Sequence, residues 1–231
     1  MTTIAVRLQA VRARIEAAAR ATGRAAQSIG LVAVSKTFAA DAIAQAHAAG
    51  QSAFGENYLQ EAAGKIERLR ALGLEWHYIG PIQSNKTRQI AEQFHWVHSV
   101  DRLKIAERLS NLRPAGLPPL EICIQVNISG ETSKGGVQPR ETLVLAKALA
   151  SLPRLRLRGL MAIPEPGHEP DAQRARFRQL HELKDEIATH GIVLDTLSMG
   201  MSDDLESAIA EGATLVRVGR AIFGERPVPR R

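Results

Sequence analysis

The sequence predicts an α/β fold, a single (β/α)8 TIM barrel formed by one domain over residues 1–231. Short apolar segments alternate with longer amphipathic ones along the whole chain, which is typical of repeated βα units around a parallel sheet. Eight apolar segments qualify as strands, whereas a doubly wound sheet usually stops at about five or six. With 231 residues, 45% of them apolar, the chain is long enough to bury the core of such a domain.

An extra helix over residues 3–22 is expected before the first strand. The eight strands are expected at 31–35, 52–56, 76–80, 96–100, 121–127, 155–163, 194–200 and 214–219. Between the strands, amphipathic segments such as 41–50 and 171–191 predict helices, and each of these two ends in a glycine. The proline-rich segments 111–119 and 164–170 are short enough to be barrel loops.

Composition and charge exclude several classes of function. The net charge is +6 and the pI is near 9.9, but the basic residues are dispersed and only 4% of residues are aromatic, so nucleic-acid binding is not expected. The single cysteine, Cys123, lies in an apolar segment, which predicts a core position and a reducing compartment, the cytoplasm. No segment is long and apolar enough to predict a membrane span. The seven histidines lack metal-ligand spacing, so no metal is expected.

Two glycine-bearing loops near the C-terminus predict a phosphate site. In SMGMSDD, which follows the seventh strand, Ser202 is expected to cap a helix that begins at Asp203. After the eighth strand, Gly219 allows close approach of an anion, and the N–H groups of Gly219 and Arg220 open a short last helix. Barrels often bind phosphate with these two loops. Taken singly, each loop is better explained by ordinary turn and capping chemistry, whereas the two together, in these positions, favour a phosphate site.

Lys36 ends the first predicted strand, on the barrel face that carries function. A lysine that is partly desolvated supplies the neutral amine that attacks a carbonyl to form a Schiff base. A phosphate site at the same mouth would hold the other end of an aldehyde-bearing ligand, and pyridoxal 5'-phosphate has both groups. An ordinary surface lysine, and a cofactor-free barrel that acts on a sugar phosphate, remain open as alternatives.

Arg217 is the third candidate. The alternation of TLVRVG places it on the same strand face as Leu215 and Gly219, and a charge in a barrel strand must meet a polar partner. If Arg217 meets the pyridine nitrogen of the cofactor, its positive charge disfavours protonation of that nitrogen and weakens the ring as an electron sink. The sequence therefore predicts poor carbanion chemistry.

Seven motifs extend over nearly the whole chain: VAVSKTF, FGENYLQEAAGKI, WHYIGPIQSNKTRQIA, VHSVDR, VNISGETSKGGV, GLMAIPE and LSMGMSDDLESAIAEGATLVRVGRAIFG. In these motifs the sequence resembles the pyridoxal-phosphate homeostasis proteins, which are related to the N-terminal barrel domain of alanine racemase. The resemblance implies a fold-type III barrel in which Lys36 forms a Schiff base with pyridoxal 5'-phosphate. It also implies phosphate contacts from Ser202 and from the backbone of Gly219 and Arg220, with Arg217 near the pyridine nitrogen. Other residues in matching motifs around the cofactor are Asn57, His77 and Ser198.

Members of this family resemble carriers and regulators of the cofactor pool, so the resemblance implies a role in vitamin B6 and amino-acid/keto-acid homeostasis. Apo-enzymes that depend on pyridoxal phosphate would be the recipients. Two positions depart from the family pattern. Arg220 stands where threonine or serine is frequent, which leaves only backbone contacts to phosphate there, and Gly135 stands where serine is common.

A pyridoxal-phosphate-dependent amino-acid racemase of the alanine racemase type is the enzyme alternative. Such a racemase needs a second acid/base opposite the lysine, and in alanine racemases this is a tyrosine that works with a second, β-rich domain. The present chain ends at Arg231, 12 residues after Gly219, and its only tyrosines are Tyr58 and Tyr78, both in barrel segments. We therefore expect a monomeric binding protein without catalytic residues.

Overall fold

The computed structural model describes residues 2–130, 135–164 and 170–225, in which eight parallel strands form a closed barrel. The strands are β1 (Gly30–Val34), β2 (Ala53–Glu56), β3 (Glu75–Tyr78), β4 (Trp96–Val100), β5 (Leu120–Gln125), β6 (Leu155–Met161), β7 (Thr196–Ser198) and β8 (Leu215–Val218). Each strand pairs with the next, and β8 returns to pair with β1, so the sheet has no open edge. The predicted (β/α)8 barrel is confirmed, and the single domain over residues 1–231 stays a prediction.

Helices follow the strands and cover the outside of the sheet. They are α1 (Ile4–Ala21), α2 (Ala40–Ala48), α3 (Leu59–Arg68), α4 (Thr87–Gln93), α5 (Leu103–Leu112), α6 (Pro139–Ala150), α7 (Pro170–Thr189), α8 (Leu205–Ala210) and α9 (Arg220–Phe223). The predicted extra helix is α1, and the Thr3 hydroxyl caps it by accepting from Val6 N at 3.3 Å. Gly50 and Gly191 follow α2 and α7 with φ of +87° and +82°, the left-handed conformation that ends helices. Within the described ranges, no helix combines the length and apolarity that a membrane crossing requires.

Most strands end earlier than predicted, because the chain leaves the sheet at the mouth of the barrel. The clearest cases are β7, which keeps three residues of the predicted 194–200, and β5, which stops at Gln125. Beyond β5, Asn127 N–H donates to Val137 O at 2.9 Å instead of continuing the ladder. The segments freed in this way form the loops around the barrel mouth.

Apolar side chains pack in two separate regions. The larger lies between the sheet and the helices and contains outward-facing strand residues such as Val97 and Ile122. The smaller consists of Trp96, Cys123 and Met161, which alternate with those residues and therefore lie inside the barrel. Cys123 is fully buried, as predicted, and burial raises the pKa of its thiol to about 12.

We expect Gly159→Ala to destabilise the barrel strongly. A Cβ atom at Gly159, on β6, would lie 1.7 Å from the backbone oxygen of Thr196 on β7, so two paired strands of the closed sheet would have to move apart. The expected loss is about 3 kcal/mol in the free energy of unfolding, measured by urea titration. Gly64→Ala on α3 is the control, because a Cβ atom there meets no atom within 4 Å and should add roughly 0.5 to 1 kcal/mol. Equal effects of the two substitutions would contradict the close approach of β6 and β7.

Candidate functional site

A cavity of about 520 Å³ opens at the carboxyl ends of the strands. Segments that follow β1, β2, β3, β6, β7 and β8 contribute to its wall. Six of the eight predicted site residues line it, namely Lys36, Asn57, Ser202, Arg217, Gly219 and Arg220. The other two, His77 and Ser198, do not line it and are buried in the strands below. The structure therefore brings most of the predicted residues to one place, from positions more than 160 residues apart.

Lys36 and Asn57 follow adjacent strands and form neighbouring parts of the cavity wall. The side-chain oxygen Oδ1 of Asn57 is buried and has no hydrogen-bond partner in the described part of the chain. Gly80 allows Asn57 to occupy this place, since a Cβ atom at position 80 would lie 2.2 Å from the Asn57 backbone oxygen. A buried acceptor without a partner is costly, so Asn57 suits a ligand that carries a donor.

The first turn of α9 forms the wall next to Lys36, because β8 pairs with β1. Gly219 precedes α9, and its carbonyl accepts from Ile222 N and Phe223 N at 2.9 Å each. A side chain at Gly219 would be tight, with its Cβ 3.1 Å from Val34 O. The N–H groups at the very start of a helix have no acceptor in a preceding turn, so those of Gly219 and Arg220 are suited to an anion.

Ser202 does not cap the helix that it was expected to cap. The prediction that a helix begins at Asp203 is wrong, because α8 begins at Leu205 and Asp204 occupies the N-cap position. The Asp204 carboxylate accepts from Met201 N, and this bond holds residues 201–204 in a turn ahead of the helix. The Ser202 hydroxyl instead accepts from Ala221 N in α9 at 3.3 Å, so it joins the two phosphate-suited loops.

Two arginines hold the loop that carries Ser202 from the outside. Arg14 of α1 donates to the Ser202 carbonyl at 3.0 Å and to both carboxylate oxygens of Glu206 at 2.7 and 2.8 Å. Arg220 pairs with Asp203 at the exposed rim of the cavity. The side chain of Arg220 is therefore engaged with a carboxylate, which fits the expectation that position 220 offers its backbone.

Arg217 reaches the cavity from inside the barrel and is 3% exposed. Its guanidinium donates to Ser198 Oγ at 2.6 Å and to the Ala162 carbonyl at 2.9 Å. Burial lowers the pKa of Arg217 to about 10, against the opposing charge of Asp204, so the group is still a cation at neutral pH. The prediction that this charge would meet polar partners is confirmed.

A chain of four hydrogen bonds runs from Arg217 through the barrel interior to Glu75, at the start of β3. After Arg217 and Ser198, the Ser198 Oγ lies 2.7 Å from His98 Nδ1, and His98 Nε2 lies 2.9 Å from His77 Nδ1. His77 Nε2 lies 2.7 Å from Glu75 Oε1. The first four side chains, from Arg217 to His77, are at most 3% exposed, whereas the Glu75 side chain is 49% exposed.

The two ends of this chain determine the direction of every bond in it. Burial lowers the pKa of His77 and, more strongly, that of His98, while the hydrogen bond from His77 lowers the pKa of Glu75. Both imidazoles are therefore neutral and the carboxylate ionised at neutral pH. A carboxylate only accepts, a guanidinium only donates and a neutral imidazole carries a single N–H. His77 therefore donates to Glu75, His98 donates to His77, and the Ser198 hydroxyl, which accepts from Arg217, donates to His98.

Sequence reasoning missed His98, although the alternation of WVHSV places it on the same strand face as Trp96. The fourth strand is not followed by a polar, glycine-rich loop, which is the signal that marks other strand ends as functional. Sequence reasoning also missed the Ala162 carbonyl, for which side-chain chemistry offers no signal. Ser198 contacts Arg217, whereas His77 contacts His98, the next residue in the chain of hydrogen bonds, and neither lines the cavity.

Comparisons with known proteins identify the family of this chain. The family model for the N-terminal domain of alanine racemase matches residues 6–227. A pyridoxal phosphate homeostasis protein of Pseudomonas aeruginosa is 62% identical over 98% of this chain and 97% of its own length. One from Escherichia coli K12 is 55% identical over 98% of each chain. The chain belongs to the pyridoxal phosphate homeostasis protein family.

Structures of relatives place the family among known barrels. PipY of Synechococcus elongatus with pyridoxal phosphate bound is 38% identical and superposes with a TM-score of 0.85, over 96% of this chain and all of PipY (100%). Alanine racemase of Corynebacterium glutamicum superposes with a TM-score of 0.66 at 20% identity, over 96% of this chain and 62% of the racemase. The second likeness shows the shared barrel fold alone.

We expect NMR to find the same tautomer in both buried imidazoles. Long-range ¹H–¹⁵N spectra at pH 7 should show a proton on Nε2 and none on Nδ1 in His77 and in His98, because Glu75 and Arg217 impose this direction. Ser198→Ala should perturb the His98 ring nitrogens and destabilise the protein by about 1 to 3 kcal/mol. Ser110→Ala, at a buried serine on α5, is the control and should leave both rings unchanged. A proton on His98 Nδ1 would mean that the chain runs the other way.

Proposed function

We propose that this protein binds pyridoxal 5'-phosphate as a Schiff base on Lys36 and acts in vitamin B6 and amino-acid/keto-acid homeostasis. One observation carries the proposal: a single cavity is lined by Lys36, by the first turn of α9 and by the buried cation Arg217. Lys36 supplies an amine that can react with an aldehyde. The first turn of α9 supplies N–H groups that can bind a phosphate, and Arg217 supplies a hydrogen-bond donor for a ring nitrogen. The PipY structure that contains the same cofactor supports the proposal.

Other groups in the cavity wall also match parts of this cofactor. Asn57 lines the cavity, and its Oδ1 is buried without a partner among the described residues, so its amide is available to a polar group of the cofactor ring. Ser202 Oγ and the N–H groups of Gly219 and Arg220 would hold the phosphate. The Lys36 amine would bond to the aldehyde carbon with loss of water. Pyridoxal phosphate, when bound, supplies an electron-accepting ring.

Arg217 limits how strongly that ring accepts electrons. A guanidinium has donors and no acceptor, so a pyridine nitrogen that takes its hydrogen bond stays unprotonated. Ser198 and the Ala162 carbonyl hold Arg217 in place, and its pKa of about 10 keeps it charged at neutral pH. We therefore propose that Arg217 suppresses carbanion chemistry and favours simple retention of the cofactor.

The racemase alternative rests on the barrel shared with alanine racemase. A second base is required beside the lysine, and neither tyrosine lines the described cavity: Tyr58 is 55% exposed, and Tyr78 donates its hydroxyl to Pro81 O at 3.0 Å. We propose a binding and delivery role without robust catalysis. We further propose that the protein is a cytoplasmic monomer that supplies apo-enzymes.

Purified protein mixed with pyridoxal phosphate should develop an absorbance band near ~420 nm, the signature of a protonated Schiff base. Lys36→Ala should abolish the band, and borohydride reduction of the wild type should leave a stable adduct on the peptide that contains Lys36. Lys104→Ala, at an exposed lysine of α5, is the control and should keep the band. A wild-type protein without the band would rule out the Schiff base and leave the sugar-phosphate alternative.

The loaded protein should not racemise L-alanine. Optical rotation of an L-alanine solution should stay constant over hours, because the described cavity wall holds no tyrosine or histidine beside Lys36. Stereoinversion that Lys36→Ala abolishes would instead support the racemase.

For delivery, the decisive comparison is transfer of cofactor to an apo-enzyme with and without a trap for free cofactor, since direct transfer survives the trap.

A further inference from the structure

The backbone beside Lys36 has an unusual conformation. Thr37 has φ of +71° and is the only described residue other than glycine with a positive φ. This left-handed region is disfavoured for side chains with a branched Cβ, and Thr37 is exposed, so its own packing does not explain it. Something outside residue 37 must stabilise the turn that presents Lys36.

Two residues of α3 bind the backbone on both sides of Lys36. Glu61 Oε1 accepts from Thr37 N at 2.6 Å, on the C-terminal side. Lys65 Nζ donates to the Ser35 carbonyl at 2.8 Å, on the N-terminal side. Glu61 and Lys65 are four residues apart on one helix and form an ion pair with each other, so the two contacts act as one unit.

A buried carboxylate anchors this unit to the sheet. Glu56, at the end of β2 and fully buried, accepts from Lys65 Nζ at 2.7 Å and from the Ser35 hydroxyl at 2.6 Å. Lys65 is itself only 6% exposed, and its three donors meet Ser35, Glu56 and Glu61. An ammonium that is buried and fully hydrogen-bonded has one well-defined position, so α3 is locked to the Lys36 turn.

We propose that Glu61 and Lys65 are positioning residues that hold the left-handed turn at Thr37 and thereby aim Lys36 into the cavity. Neither residue lines the cavity, so they act through the backbone and not on the ligand. The proposal rests on the proposed function for its consequence in cofactor binding. The conformation of the turn itself is testable without any cofactor.

The first experiment is NMR of the cofactor-free protein. Wild-type Thr37 should show a strongly downfield amide proton, because it donates to a carboxylate, and a coupling constant typical of positive φ. Glu61→Ala should remove both signals and speed amide exchange at residues 37 and 38. Glu67→Ala is the matched control on the same helix, since Glu67 is 75% exposed and pairs only with Arg70 in the described contacts. A Thr37 that keeps positive φ in Glu61→Ala would overturn the proposal.

The second experiment is a double-mutant cycle read out by cofactor affinity from the ~420 nm band. Glu61→Ala should weaken binding about tenfold, since threonine leaves the left-handed region and only a minor population stays competent. In a Thr37→Gly background the same substitution should cost only about twofold, because glycine adopts positive φ readily. Equal losses in both backgrounds would show that Glu61 acts in some other way.

Failure of this inference is distinguishable from failure of the proposed function. If the wild type shows no band but the Thr37 amide responds to Glu61→Ala, the turn is held as described and the proposed ligand is wrong. If the band forms and the amide does not respond, the ligand stands and the positioning role is wrong. Unfolding midpoints close to wild type in Glu61→Ala, measured alongside, ensure that a lost band is not a lost fold.

Discussion

The buried guanidinium of Arg217 constrains how the interior of this barrel is built. Barrel interiors are usually filled by layers of branched apolar side chains, but a cation that is 3% exposed needs an acceptor for each donor it turns inward. Ser198 and the Ala162 carbonyl meet that need directly. Beyond Ser198, two neutral imidazoles continue the chain to Glu75, so the cavity and the opposite face of the barrel share one hydrogen-bond direction.

Residues outside the cavity determine the geometry of those inside it. Arg14 holds the Ser202 loop from α1, and the pair of Glu61 and Lys65 holds the backbone around Lys36 from α3. Reactive and ligand-binding groups need such supporting contacts, because a side chain free to move by an ångström loses most of its orientation. The functional unit therefore reaches well beyond the cavity wall.

The barrel was predictable because alternating apolar and amphipathic segments leave few other folds, and strand ends then place Lys36, Asn57 and Gly219 at one mouth. The start of α8 was not predictable, since Ser202, Asp203 and Asp204 are all good capping residues, and the sequence does not show that hydrogen bonds between Asp204 and Met201 hold residues 201–204 in a turn ahead of the helix. The hydrogen bond from Lys65 to the backbone beside Lys36 could not be predicted from the sequence either. It depends on which turn of α3 faces the sheet, and no local pattern around Lys36 reveals that register.

The packing of α1 has a consequence for the order of folding. This helix is complete after residue 21, yet it lies against α8 and α9, which begin only at residues 205 and 220. The part of its surface that packs against α8 and α9 therefore has no permanent cover until synthesis is almost finished. Contacts of such long sequence separation slow folding. We infer that the barrel closes late, and that the loops suited to phosphate are among the last parts to acquire their final form.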